Sequence, residues 1–154
     1  MSNLDKSVEL GICYDINRIT TMIRLSVLQA LMASPFKDIT LEQYEVLFVL
    51  LKNNGVYQRQ LAKLLLKDRP NVTRMLSILE EKKFIRREQQ ASNKKVIYVY
   101  ITDLGLERVK EVAIIKNKQV QQILKNFTEN ELAQFTGLVD KMKSNLANLF
   151  TIQT

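Results

Sequence analysis

The hydrophobic period of this chain drops from about 3.6 residues to 2 in one place, between Phe84 and Thr102, and helical spacing then resumes. A chain patterned this way folds as a mostly helical protein with one small β-element set into it. The first helical stretch runs from Val8 to Ala33. Its stripe is Ile12, Ile16, Ile19, Ile23 and Val27, widened by Leu28 and Leu31, and Ser34-Pro35 ends it. So long a helix outruns a small core, and part of its stripe is expected to meet another subunit. Thr40-Leu41-Glu42-Gln43 reads as a capping box opening a second helix through Leu51, closed by Asn53-Asn54-Gly55.

A third helix is expected from Gln58 to Leu66, with Leu61, Ala62, Leu64 and Leu65 as its apolar positions. After Lys67-Asp68 a fourth runs from Arg69 to Lys83. Asp68 is its N-cap, Pro70 falls in its first turn, and Val72, Met75, Leu76 and Leu79 form its buried stripe. Phe84–Gln89 and Val96–Thr102 read as strands, joined by the polar tip Gln90–Lys94. Helical pattern returns from Asp103 to Asn126. A second capping box, Thr128 to Glu131, starts a last helix with a seam at Leu132, Phe135, Val139, Met142, Leu146 and Leu149.

Charge is unevenly placed. Residues 59–95 hold 11 Lys/Arg and four Asp/Glu, so the whole net charge of +7 lies in that segment and the rest of the chain is balanced. Such concentration favours a polyanionic partner. One cysteine and no histidine remove a disulfide framework, the commonest general base and most metal ligands. With no nucleophile–base pair or phosphate-binding Gly loop, the chain is expected to be no enzyme, with no catalytic residue, metal or cofactor. It carries no apolar run of the roughly 18 residues a membrane span needs and no signal-peptide core, which points to the cytoplasm rather than a membrane.

Two short helices across a tight break, followed by a basic hairpin, make a winged helix-turn-helix over residues 36–102. Residues 1–35 and 103–154 then form a helical dimerisation domain. Duplex DNA admits one helix into its major groove, and the second helix of the pair, 69–83, is the one that enters. Its face opposite the apolar stripe carries Pro70, Arg74, Ser77 and Glu81, flanked by Asn71 and Thr73. Arg74 can reach guanine O6 and N7, Asn71 can pair with adenine, and Thr73 and Ser77 can meet bases or phosphates. On the wing, 84–102, Lys94 and Lys95 can reach phosphates or a narrow minor groove. The alternative for the same basic stretch is a winged-helix module that meets an acidic protein.

Residues 57–105 resemble the DNA-binding core of the multiple-antibiotic-resistance regulator (MarR) family. The likeness rests on Gln58-Arg59-Gln60-Leu61-Ala62, Arg69-Pro70-Asn71-Val72-Thr73-Arg74, Leu79-Glu80 with Phe84-Ile85-Arg86-Arg87, and Val99-Tyr100-Ile101-Thr102 up to Gly105. The outer helices resemble that family's dimerisation domain. The resemblance implies a homodimer on a pseudo-palindromic double-stranded operator, usually as a repressor, released by a small phenolic or other apolar ligand or by an oxidant. It adds Gln58, Arg59, Arg69 and Asn93 to the DNA-binding set. At the wing tip the family's Asp and Arg are replaced by Asn93 and Lys95. Arg87 matches the family's wing-bracing arginine, and its acidic partner is missing at position 93, so phosphate contact is expected there rather than base reading. Cys13 lies where the peroxide-sensing branch keeps its reactive thiol. Asn17 and Leu41 stand where that branch has tyrosines, which leaves a redox role and a packed interface role both open.

Overall fold

The structure is a computed structural model that describes residues 3–149. Its elements in chain order are α1 (Asn3–Met32), α2 (Leu41–Lys52), β1 (Val56–Tyr57), α3 (Gln58–Leu64), α4 (Arg69–Glu81), β2 (Ile85–Gln90), β3 (Asn93–Ile101), α5 (Asp103–Ile123) and α6 (Glu129–Leu149). This is the expected mostly helical architecture with a small β-wing. Residues 1–2 and 150–154, which the sequence assigned to the dimerisation domain, lie outside the described residues.

The core sits in the winged part. Leu47 and Leu50 of α2, Leu61 of α3, Val72, Leu76 and Leu79 of α4, and Val99 of β3 are buried, and Val109 and Val112 of α5 close over them. Full burial of side chains of this size stabilises by roughly 1.5–3 kcal/mol each, so this cluster holds α4 rigidly at the surface. The α4 stripe is the one its spacing predicted. Of the apolar positions expected in α3, Leu61 and Ala62 are buried and Leu65 packs against the core, whereas Leu64 is 44% exposed.

Local chemistry fixes the helix starts. Thr40 Oγ1 accepts from the Gln43 amide at 3.2 Å while Gln43 Oε1 accepts from the Thr40 amide at 3.3 Å. Asp68 accepts from the Asn71 amide at 2.9 Å, and Thr128 and Glu131 cap α6 reciprocally. The stops differ from expectation. Helix α3 ends at Leu64 rather than Leu66, and α4 at Glu81 rather than Lys83, since Leu66 (φ 52°) and Lys83 (φ 61°) are left-handed. Both ends are Schellman turns: Lys67 N donates to Ala62 O and Leu66 N to Lys63 O, then Phe84 N to Leu79 O and Lys83 N to Glu80 O. Neither left-handed residue is glycine, so the usual composition signal is absent. Replacing Lys83 with glycine is expected to raise stability by about 0.5–1 kcal/mol, read as a higher Tm in thermal unfolding. A lowered Tm would contradict this account of the turn.

The wing is a three-stranded antiparallel sheet in the order β1-β3-β2. Strand β1, two residues long, pairs Val56 with Val99 and Tyr57 with Tyr98; it was not foreseen, being too short to show a period. Strands β2 and β3 pair from Ile85–Ile101 to Gln89–Ile97, with an irregularity at Gln89/Gln90 before Gln90 meets Asn93. The tip is therefore the turn Ala91-Ser92, and Asn93 and Lys94 belong to β3 rather than to a longer loop. Helix α5 ends at Ile123 rather than Asn126, and α1 begins at Asn3, before Val8.

One basic side chain joins an outer helix to the winged part, and a second ties α4 to α2 within it. Arg108 of α5 pairs with Asp38 at 3.2 Å and lies over the rings of Phe36 and Phe84, 5.0 and 5.5 Å from their centres. Lys82, at the end of α4, donates to Gln43 Oε1 at 3.1 Å and to the Asp38 carbonyl.

Candidate nucleic-acid interface

Helix α4 reaches the surface with its first two turns forward. Pro70, Thr73 and Arg74 are exposed and Asn71 is half-buried. The Asn71 amide is spent on the Asp68 cap, leaving its carboxamide to the surface. Gln58, the first residue of α3, donates from Nε2 to Thr73 Oγ1 at 2.9 Å and ties the two helices of the pair together. The Gln58 Oε1 atom is buried without a hydrogen-bond partner.

Between α3, α4 and the wing lies an open groove of about 930 Å³. It brings together Gln58, Arg59, Arg69, Thr73, Asn93 and Lys95 of the sequence-derived set, and adds Tyr57, Gln60, Lys63, Val96 and Ile97. Four of the lining residues are cationic and none is acidic, so the concave surface is suited to a passing phosphodiester strand. Pro70, Asn71, Arg74, Ser77 and Lys94 lie outside it. Arg74 stands on the forward surface of α4, and Lys94 at the wing tip.

The tyrosines were missed by sequence reasoning. Tyr57 and Tyr98 face each other across the β1–β3 ladder, ring centres 4.5 Å apart, with Tyr98 Oη donating to Tyr57 Oη at 2.9 Å. That hydrogen bond, above all, pushes the Tyr98 hydroxyl above the ordinary tyrosine pKa. Because Tyr98 is the donor of this bond, the Tyr57 hydroxyl hydrogen is left to donate to an anion in the groove. At the tip, Asn93 Oδ1 accepts from the Lys95 amide at 3.1 Å, so this asparagine shapes the turn that presents the lysine.

Two expectations change. Arg87 does not lack an acidic partner: Glu80, one residue from the end of α4, takes its guanidinium at 2.6 Å. The substitute comes from the helix rather than the wing tip. Ser77 is not a fully available reading group, since its hydroxyl donates to the Thr73 carbonyl at 3.1 Å and lies 3.4 Å from Arg87 Nη2. Cys13 is exposed on α1. Among the described residues no group of three or more His, Cys, Asp or Glu side chains could hold a metal ion, and no helix is long and apolar enough to cross a membrane.

Residues 39–97 match the model of the MarR family, which spans the second helix through the wing. Over nearly its whole length the chain is similar to solved regulators. It is 27% identical to Staphylococcus aureus MepR in a MepR–DNA complex, covering 86% of this chain and 96% of that one, with a TM-score of 0.76. To the transcriptional regulator SlyA it is 28% identical, covering 89% and 94%, with a TM-score of 0.75. A mutant MarR from E. coli complexed with operator DNA shares the fold at 23% identity, covering 92% and 99%, with a TM-score of 0.76. In element order, wing topology and outer helices, this chain resembles winged helix-turn-helix transcription regulators of the MarR family, whose model matches its residues 39–97.

Proposed function

We propose that this protein is a homodimeric, non-catalytic transcription regulator that binds a pseudo-palindromic operator, with α4 in the major groove and the wing on the backbone. The observation that carries the reading is the acid-free cationic groove beside the forward face of α4. DNA-bound relatives of the same fold, MepR and MarR, support it. In this reading Asn71, Thr73 and Arg74 meet base edges. Gln58, Arg59, Arg69, Lys94 and Lys95 hold phosphates, Pro70 sets the first turn of α4, and Ser77 and Asn93 shape the surface. The protein acts as a repressor where its operator overlaps a promoter.

The homodimer is supported by what one chain leaves uncovered. Helix α1 is 30 residues, about 45 Å at 1.5 Å per residue, and Ile12, Ile16, Ile19 and Ile23 on it are at least 36% exposed. Helix α6 has no buried residue, with Phe135, Leu138 and Leu146 outward. A second copy would cover these stripes and set two recognition helices for two half-sites. Residues 1–35 and 103–154 are accordingly the dimerisation domain and 36–102 the winged domain. A small apolar or phenolic effector at their junction would release the operator.

The test is salt dependence of duplex binding. If six to ten phosphates are neutralised, affinity falls by roughly 10³–10⁵ between 50 and 200 mM salt, with log K linear in log salt. Absence of duplex affinity even at low salt would favour a protein-interaction module instead. For the oxidant-sensing alternative, the exposure of Cys13 is the supporting observation. If Cys13→Ser still releases DNA on oxidation, that alternative is wrong.

A further inference from the structure

Among the contacts that hold the wing to the rest of the molecule, which include the Ile101 amide donating to Asn54 Oδ1 at 3.0 Å and the burial of Ile85 and Val99 in the core, two act at one level of the sheet. One is the two-residue β1–β3 ladder, Val56–Val99 and Tyr57–Tyr98. The other is a bracket from α4. Glu80 accepts from Arg87 at its backbone amide (3.0 Å), Nε (2.9 Å) and Nη2 (2.6 Å), and Nη2 also lies 3.4 Å from Ser77 Oγ. Arg87 sits opposite Val99 in the β2–β3 register, so the bracket and the ladder grip one level of the sheet from two sides. Beyond that level the strands run out to Lys94 and Lys95, which are exposed.

From this we infer that Glu80, an acid within the basic segment, is a positioning residue for DNA binding that fixes the wing at the angle where Lys94 and Lys95 reach phosphates. The inference rests on the DNA-binding reading above. It also takes Arg87 out of the phosphate contacts, since its fork is committed to Glu80. Both guanidinium nitrogens donate to Glu80 Oε2 while the Arg87 amide donates to Oε1, so charge-assisted bonds hold both carboxylate oxygens in place, and neither side chain is freely solvated, at 37% exposure for Glu80 and 23% for Arg87. The Arg87 hydrogen bonds hold the Glu80 carboxyl below the usual glutamate range, so it stays charged at neutral pH.

Charge alone and positioning predict opposite signs. Removing an acid from a basic surface should tighten binding to a polyanion. Positioning predicts that Glu80→Gln weakens binding about tenfold, and that the slope of log K against log salt flattens by about 1.8 per protomer, at about 0.9 for each phosphate that a wing lysine no longer neutralises. Glu80→Asp keeps the charge but falls one methylene short of Arg87, and it should weaken binding in the same way. In a Lys94→Ala/Lys95→Ala background, Glu80→Gln should cost nothing further.

The experiment is fluorescence anisotropy with a labelled operator duplex across a salt series, on variants whose circular dichroism and Tm show them folded. If Glu80→Gln does not fold, Glu80→Asp carries the comparison. Unchanged or tighter binding by the folded variant overturns the inference, and so does an undiminished loss in the wing-lysine background. Absence of duplex binding by the unaltered protein overturns instead the DNA-binding reading beneath it.

Discussion

Replacing Arg74 with alanine is expected to weaken sequence-specific operator binding severely while leaving dimer and fold intact. Arg74 is exposed on the forward surface of α4 and forms none of the molecule's ion pairs among the described residues. Its guanidinium fork is therefore available for guanine O6 and N7, which lysine could not grip in the same way. One such bidentate pairing is worth about 1–3 kcal/mol. A two-fold operator forfeits it at both half-sites, so affinity should fall by roughly 30-fold to 10⁴-fold. A mobility-shift titration reads the fall, with sedimentation confirming the dimer. Unchanged affinity would remove α4 from its assigned role.

The second large effect is structural. Gly105 lies in the first turn of α5, where Thr102 Oγ1 accepts from its amide at 3.1 Å. A Cβ there would stand 2.1 Å from the Phe84 carbonyl oxygen and 3.0 Å from Ile101 Cγ1. The obstacle is backbone, and that carbonyl already accepts from the Thr102 amide at 3.1 Å, so it cannot swing aside without opening the start of the wing. Gly105→Ala is expected to cost roughly 2–4 kcal/mol, a drop in Tm of about 10 °C for a chain this size. Because α5 and the wing would be pushed apart together, DNA affinity should fall with stability. A Tm within about 2 °C of the parent would show that the two elements have room to separate.

Some of this was legible in the residues. The starts of α2, α4 and α6 were legible because their chemistry is local: Thr40 with Gln43, Asp68 before Pro70, and Thr128 with Glu131 each lie within three positions. The α4 stripe was legible because its burial follows one period. What stayed hidden depends on non-local partners or on conformations the side chain does not advertise. Leu66 and Lys83 adopt a left-handed turn that composition associates with glycine, so both helix ends were placed too late. Tyr57 enters the site through a two-residue strand whose partner lies 41 positions away. The bracing carboxylate was sought at the wing tip, by likeness, whereas Glu80 reaches Arg87 across the bend that Lys83 makes.

The central claim is that a charged groove and an exposed helix face together read a specific duplex. Selection from a pool of random-sequence duplexes tests it most directly. Inverted half-sites whose centres lie about 10–10.5 base pairs apart, or a multiple of that, should be enriched. Each half-site should hold a G·C pair whose preference disappears in Arg74→Ala. Recovery of duplexes with no shared sequence, bound no more tightly than the starting pool, would contradict it.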